Sequence, residues 1–117
     1  LSRKECNILN SVDEAAEMVR RVNQPAVRLL VDTYHMRSNG ESPDAIARAG
    51  ELISHVHVAE GDGRGPLGAT GEDQRAFFAA LAAGGYDGRV SIEAAWSDFV
   101  NQLPDAVVEL RRQIDTA

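Results

Sequence analysis

The stretch Leu29–Met36, "LLVDTYHM", decides how the rest of the chain is read. Three branched apolar residues run straight into Asp32, and His35 follows three positions later. With its approach the run is "AVRLLVD" (26–32), a short continuous apolar segment that predicts a strand buried on both faces, as in a parallel sheet covered by helices. A segment built for burial ends in two groups that resist burial. The pattern makes sense where the strand stops at a surface that uses them.

Working outward, the chain alternates two periodicities. "SVDEAAEMVRRVNQP" (11–25) spaces Val12, Ala15, Ala16, Val19 and Val22 near the helical period, opens on a capping Ser11 and stops before Pro25. "SPDAIARAG" (42–50) has a serine cap, a proline in the first turn and a closing glycine, which predicts a short helix. "ELISHVHVAE" (51–60) reads as a second strand, and "GEDQRAFFAALAAGG" (71–85) as a helix stopped by Gly84 and Gly85. "GRVSIEAAW" (88–96) is a third strand and "PDAVVELRRQID" (104–115) a last helix. Helix and strand in strict alternation with short links give an α/β fold of repeated units on a parallel sheet. No tandem repeat, low-complexity tract or flexible linker divides the chain, so residues 1–117 are expected to form a single domain. The opening "LSRKECNILN" (1–10) reads as a loop entering a helix, without the strand that should precede it.

Composition narrows the function classes. The net charge is -6, and the 12 Lys and Arg are scattered among 18 acidic residues, which argues against a nucleic-acid phosphate-binding face. A lone Cys6 can form no internal disulfide, no charged-then-apolar leader opens the chain, and no apolar run is long enough to span a bilayer. A cytoplasmic protein with no membrane partner is expected.

Placed on this frame, Asp32 ends the first strand, His57 lies near the end of the second and Glu93 near the end of the third. In parallel αβ folds the strand C-termini share one rim, where ligands bind, so the three should converge. Aspartate, histidine and glutamate together suit a divalent ion such as Mn, Co, Fe or Zn. Each also has a plainer reading. A strand-end aspartate or glutamate commonly caps the following turn, and lone strand histidines are often satisfied structural groups. His55 and His57 share one strand face, with Val56 and Val58 on the other. Repetition at three successive strands favours the ligand reading.

The segment "EGDGRGPLGATG" (60–71) carries five glycines and follows the histidine strand. It reads as a lid or substrate loop or as a merely flexible surface loop, and lacks the G-K-[ST] ending of a phosphate-cradling loop. Within it, Arg64 could hold a substrate hydroxyl or carboxylate, whereas Glu60 is expected to be simply exposed. Phe77 and Phe78 are expected in the core, Met36 and Trp96 as packing. Tyr34 could face the pocket or the neighbouring helix.

The motifs "VDTYHM", "HVHVAEGDGRGPLG" and "YDGRVSIEAAW", in this order and spacing, resemble the second half of the xylose-isomerase-like TIM barrels, closest to the sugar phosphate isomerase/epimerase group with its ketose 3-epimerases. That resemblance implies a metal held by four strand-end residues, three of which match Asp32, His57 and Glu93. It also implies a substrate contact at His35 and another at Arg64, which stands one position later than in the family pattern. Glu5 matches a substrate-contacting glutamate, while the first metal glutamate would precede Leu1. A complete (β/α)8 barrel takes about 250 residues, so the chain would form about half of one, the C-terminal half. The implied activity is a metal-dependent sugar isomerase or epimerase using Mn, Co, Mg or Zn. Acting on a ketose or sugar phosphate through an enediolate, it would use Glu93 as one of two proton-transferring carboxylates. Alternatives are a cyclic-polyol dehydratase of the same superfamily and a non-catalytic half-barrel. An abasic-site endonuclease fits less well, because the loop "EGDGRG" lacks that family's Asp-x-His pair. Exposed sheet edges predict a homo-oligomer.

Overall fold

The computed structural model describes residues 1–117. The elements are α1 (Val12–Val22), β1 (Leu29–Asp32), α2 (Thr33–Asn39), α3 (Asp44–Ala49), a 3-10 turn (Gly50–Leu52), β2 (Ile53–Val58), α4 (Arg75–Ala83), β3 (Val90–Ile92) and α5 (Phe99–Asp115). The three strands form one parallel sheet in the order β1-β2-β3. No helix is long and apolar enough to cross a membrane.

Local chemistry accounts for α1. The Ser11 side chain accepts from the Glu14 N–H, Asp13 and Glu14 stand in the positive first turn, and Arg20 and Arg21 in the negative last turn. Val12, Ala16 and Val19 form the buried stripe, and Asn23 closes the helix in the left-handed conformation.

The core lies on the helix-covered side of the sheet. Val31, Val56 and Val58 meet Ile46 and Met36 there, and Phe77 and Phe78 are buried in the same cluster as expected. Each such side chain contributes about 1.5–3 kcal/mol by leaving water.

Four expectations are corrected here. The first strand is not buried on both faces throughout: Leu30 is 48% exposed, although Asp32 on the same face is buried. A helix, α2, begins immediately after Asp32, since that carboxylate accepts from the Tyr34 and His35 N–H groups, and Gly40 at φ 71 closes it. The last helix starts at Phe99 rather than at Pro104, because Asp98 caps the Asn101 N–H and the Gln102 side chain caps the Asp98 N–H in return. Strands β2 and β3 are also shorter than the apolar runs that announced them.

Candidate metal centre

Register builds the site. Asp32 lies opposite His57, which lies opposite Ser91, so one face of the sheet carries all three. Glu93, two residues past Ser91, returns to that face, and its N–H bonds to the Val58 carbonyl at 3.0 Å. Asp32, His57 and Glu93 each offer one ligand atom, and these atoms all lie within 4.8 Å of one another. His57 Nδ1 is 3.2 Å from Glu93 Oε2. Neighbouring His55 instead bonds to the Ser91 hydroxyl at 3.0 Å, the structural role expected of a strand histidine.

Asp32 takes the capping role weighed for it and keeps its second oxygen clear of the helix. Its Oδ1 caps α2, while its Oδ2 faces the cluster. Burial raises its pKa above the ordinary carboxylate value, against the opposing pull of His35 and Arg64. His35, in the first turn of α2, accepts from the Ser2 N–H at Nδ1, 3.1 Å away. Its proton therefore sits on Nε2, which is 3.7 Å from Asp32 Oδ2. Glu5 Oε2 approaches His35 Nδ1 to 3.6 Å. The segment bearing Glu5 is tied down by Asn39, whose side chain bonds to Arg3, Leu1 and Asn10, and by Asn10, which bonds to Leu1 and Cys6.

These groups open onto a cleft of about 660 Å³ lined by Glu5, Asp32, His35, His57, Arg64 and Glu93, with an apolar wall from α1 and β1. Arg64 reaches it from a backbone held at φ 56, with its carbonyl accepting from the Ala95 N–H at 2.7 Å. One guanidinium nitrogen, Nη2, bonds to both Asp32 Oδ2, at 3.1 Å, and Glu93 Oε2. The guanidinium also lies 4.9 Å from the centre of the Tyr34 ring, which packs behind Arg64 without lining the cleft.

Glu60 is fully buried, which overturns its expected exposure. Its two oxygens accept from the N–H groups of Gly68, Thr70 and Glu72 and from the Thr70 hydroxyl. Burial pushes its pKa up, but these donors together outweigh burial and hold it below the ordinary value. The glycine-rich segment is thus a loop folded around one carboxylate. Gln74 closes its far end by bonding to Ala59, Thr33 and Gln113. The run of glycines in sequence hid this knot; the signal was an acidic residue three positions past the histidine with Thr70 downstream. Trp96 packs edge-on against Phe99, 5.1 Å between ring centres, and takes no part in lining the cleft.

The donors fit a divalent cation. Neighbouring ligands about 2.1 Å from one ion lie roughly 3.0–3.4 Å apart; His57 Nδ1 and Glu93 Oε2 already stand 3.2 Å apart, and any pair near the 4.8 Å limit needs to close by more than about 1 Å. One imidazole and two carboxylates are the chemistry expected for such an ion. Glu5, His35 and Arg64 surround that point without joining the ligand set.

Polar side chains at successive strand ends of a helix-covered parallel sheet are the arrangement of a TIM-barrel rim, and this sheet is a fragment of the TIM-barrel fold. The chain belongs to the xylose isomerase-like TIM barrel family, whose sequence model matches residues 1–116. It is 37% identical over 103 residues to an L-ribulose 3-epimerase of Methylomonas sp. strain DH-1, covering 86% of this chain and 35% of that protein. The identity, length and coverages are the same for a ketose 3-epimerase of Arthrobacter globiformis. A crystal structure of D-psicose 3-epimerase in the presence of D-fructose superposes with TM-score 0.74 at 33% identity, over 81% of this chain and 33% of that one. The chain spans about a third of the length of the curated relatives it matches.

Proposed function

We propose that this chain supplies the C-terminal rim of a metal-dependent ketose epimerase, with Asp32, His57 and Glu93 as metal ligands. The observation that carries the reading is the convergence of those three side chains on one sheet face, within 4.8 Å, in a chain similar to named 3-epimerases.

A bound divalent ion would polarise the carbonyl of an open-chain ketose and so ease loss of the neighbouring proton. The chain's own groups divide the remaining tasks. Glu93 is half exposed to the cleft, and one of its oxygens accepts the proton from the carbon beside the carbonyl. His35, with its proton fixed on Nε2 by the Ser2 N–H, donates towards a substrate oxygen. Arg64 offers a cation where negative charge develops, and Glu5 accepts from a sugar hydroxyl at the mouth of the cleft. Inversion needs a second carboxylate on the opposite face of the sugar, and a glutamate from a strand preceding β1 in the barrel order is proposed for it. The substrate is a small ketose or its phosphate.

The test is proton exchange at C3 of D-fructose or L-ribulose in D2O with the Mn²⁺-loaded protein. Exchange at C3 that disappears in Glu93→Gln supports the reading, and exchange at C1 alone indicates an isomerase. With Mn²⁺ bound, absence of exchange at either carbon contradicts it.

A second reading rests on the sheet's flanks. Leu1, Ile8, Met18 and Leu30 are exposed on the apolar wall of the cleft, and Phe99, Val100, Val108 and Ile114 along α5. Such a surface suits a half-barrel that self-associates, and a monodisperse monomer in sedimentation at micromolar concentration would count against that.

A further inference from the structure

We propose that Arg64 is the displaceable counter-ion of the metal centre: its guanidinium holds Asp32 and Glu93 together before the cation arrives, then leaves, so that metal binding must precede substrate binding. The inference rests on the metal reading above and assigns Arg64 a task before any substrate is present.

The argument starts from a single nitrogen. Nη2 of Arg64 bonds to Asp32 Oδ2, the oxygen left free by the α2 cap, and to Glu93 Oε2, and so bridges two of the three residues grouped as ligands. Because ligand atoms that approach one ion within about 2.1 Å leave no room for a guanidinium between them, Arg64 and the cation compete for the same place. Without either, two carboxylates would face each other across a few ångströms, with Asp32 only 8% exposed. Like charges so placed repel, and burial strengthens the effect.

Arg64 is also built to leave. Its backbone is pinned by the Ala95 N–H and by the neighbouring Glu60 N–H bond to the Gly65 carbonyl, and the loop is knotted on Glu60. The side chain moves while its anchor stays. In the present pose Nε is buried and without a hydrogen-bond partner, so the pose leaves one donor of the fork unsatisfied. The Tyr34 ring, against which the guanidinium already lies, offers a resting place after release. Once freed, the guanidinium faces the cleft as a cation ready for substrate oxygens. Until then it both blocks the ligands and is itself neutralised.

Calorimetric titration of Mn²⁺ into the wild type, Arg64→Met and, as a charge control, Arg20→Met tests this. Arg20 stands exposed on α1, away from the cluster. Expected is about tenfold tighter Mn²⁺ binding in Arg64→Met, with Arg20→Met within about twofold of wild type. Alongside, the Nε–H resonance of Arg64, followed by NMR during titration with diamagnetic Zn²⁺, should shift in step with site occupancy. Equal or weaker Mn²⁺ binding in Arg64→Met, or an Arg64 resonance unmoved at Zn²⁺ saturation, overturns the inference while leaving the metal reading intact. Failure of both the wild type and Arg64→Met to bind Mn²⁺ overturns the two together.

Discussion

On its helix side the sheet presents Val31, Val56 and Val58, none more than 1% exposed, whereas on its other side lie Leu30, Asp32, His55, His57 and Ser91, with Glu93 just past the end of β3. The first set is interchangeable in kind: apolar, branched, recognisable by any helix that covers it. The second set is particular, since each polar group has a named partner. The difference teaches that in this α/β unit the alternation of a strand separates apolar packing from the polar cluster, so that each face can be damaged with little harm to the other.

That separation can be broken by substitution. The largest effect is expected from Ile46→Ala beneath the helix side, where a fully buried side chain leaves a cavity. It should cost about 2–5 kcal/mol in urea unfolding while Mn²⁺ affinity changes little. Leu30→Ala on the open face, by contrast, should cost well under about 1 kcal/mol; an equal loss at both positions would contradict the two-faced picture.

Asp32→Asn sharpens the distinction within one residue. Asparagine caps a helix as well as aspartate, so α2 should persist by circular dichroism. Mn²⁺ binding should fall about 100-fold through loss of a charged ligand. Loss of helix together with metal would mean that the cap is Asp32's main contribution.

A smaller effect is expected at Glu60. Glu60→Gln cannot accept from all four donors, and unsatisfied buried groups cost about 1–3 kcal/mol. Amide exchange at Gly68, Thr70 and Glu72 should speed up accordingly. Because the folded protein holds Glu60 below its ordinary value of 4.5, the unfolded chain binds the proton more readily there. The stability that Glu60 contributes is therefore complete above about pH 4.5 and lost as pH falls through its lowered folded value. The Gln variant should lack that component of acid sensitivity; an unchanged acid profile would remove Glu60 from the account.

Much of this was legible in the sequence because periodicity reports burial. The apolar runs around Val31, Val56 and Ile92 located the strands, and reading their ends located Asp32, His57 and Glu93. What the runs did not report was extent. Strand β1 stops at Asp32 because one carboxylate satisfies two N–H groups of α2, and a capping interaction of this kind leaves no periodic trace in seven residues. Helix α5 continues through Pro104 because the Asp98 and Gln102 caps begin it a turn and a half earlier. Glu60 was misjudged for a different reason. Its burial is paid for by donors 8 to 12 positions away, within a loop whose glycines suggested freedom. Long-range satisfaction of a buried charge is a property of the folded loop, and the composition of the loop does not encode it.

The central claim is that Asp32, His57 and Glu93 hold one divalent ion, and an anomalous-difference map from crystals grown with Mn²⁺ tests it most directly. The account expects a single peak about 2 Å from an oxygen of Asp32, a nitrogen of His57 and an oxygen of Glu93, with the Arg64 guanidinium withdrawn. A map without that peak, in which Arg64 still bridges the two carboxylates at saturating Mn²⁺, would contradict it.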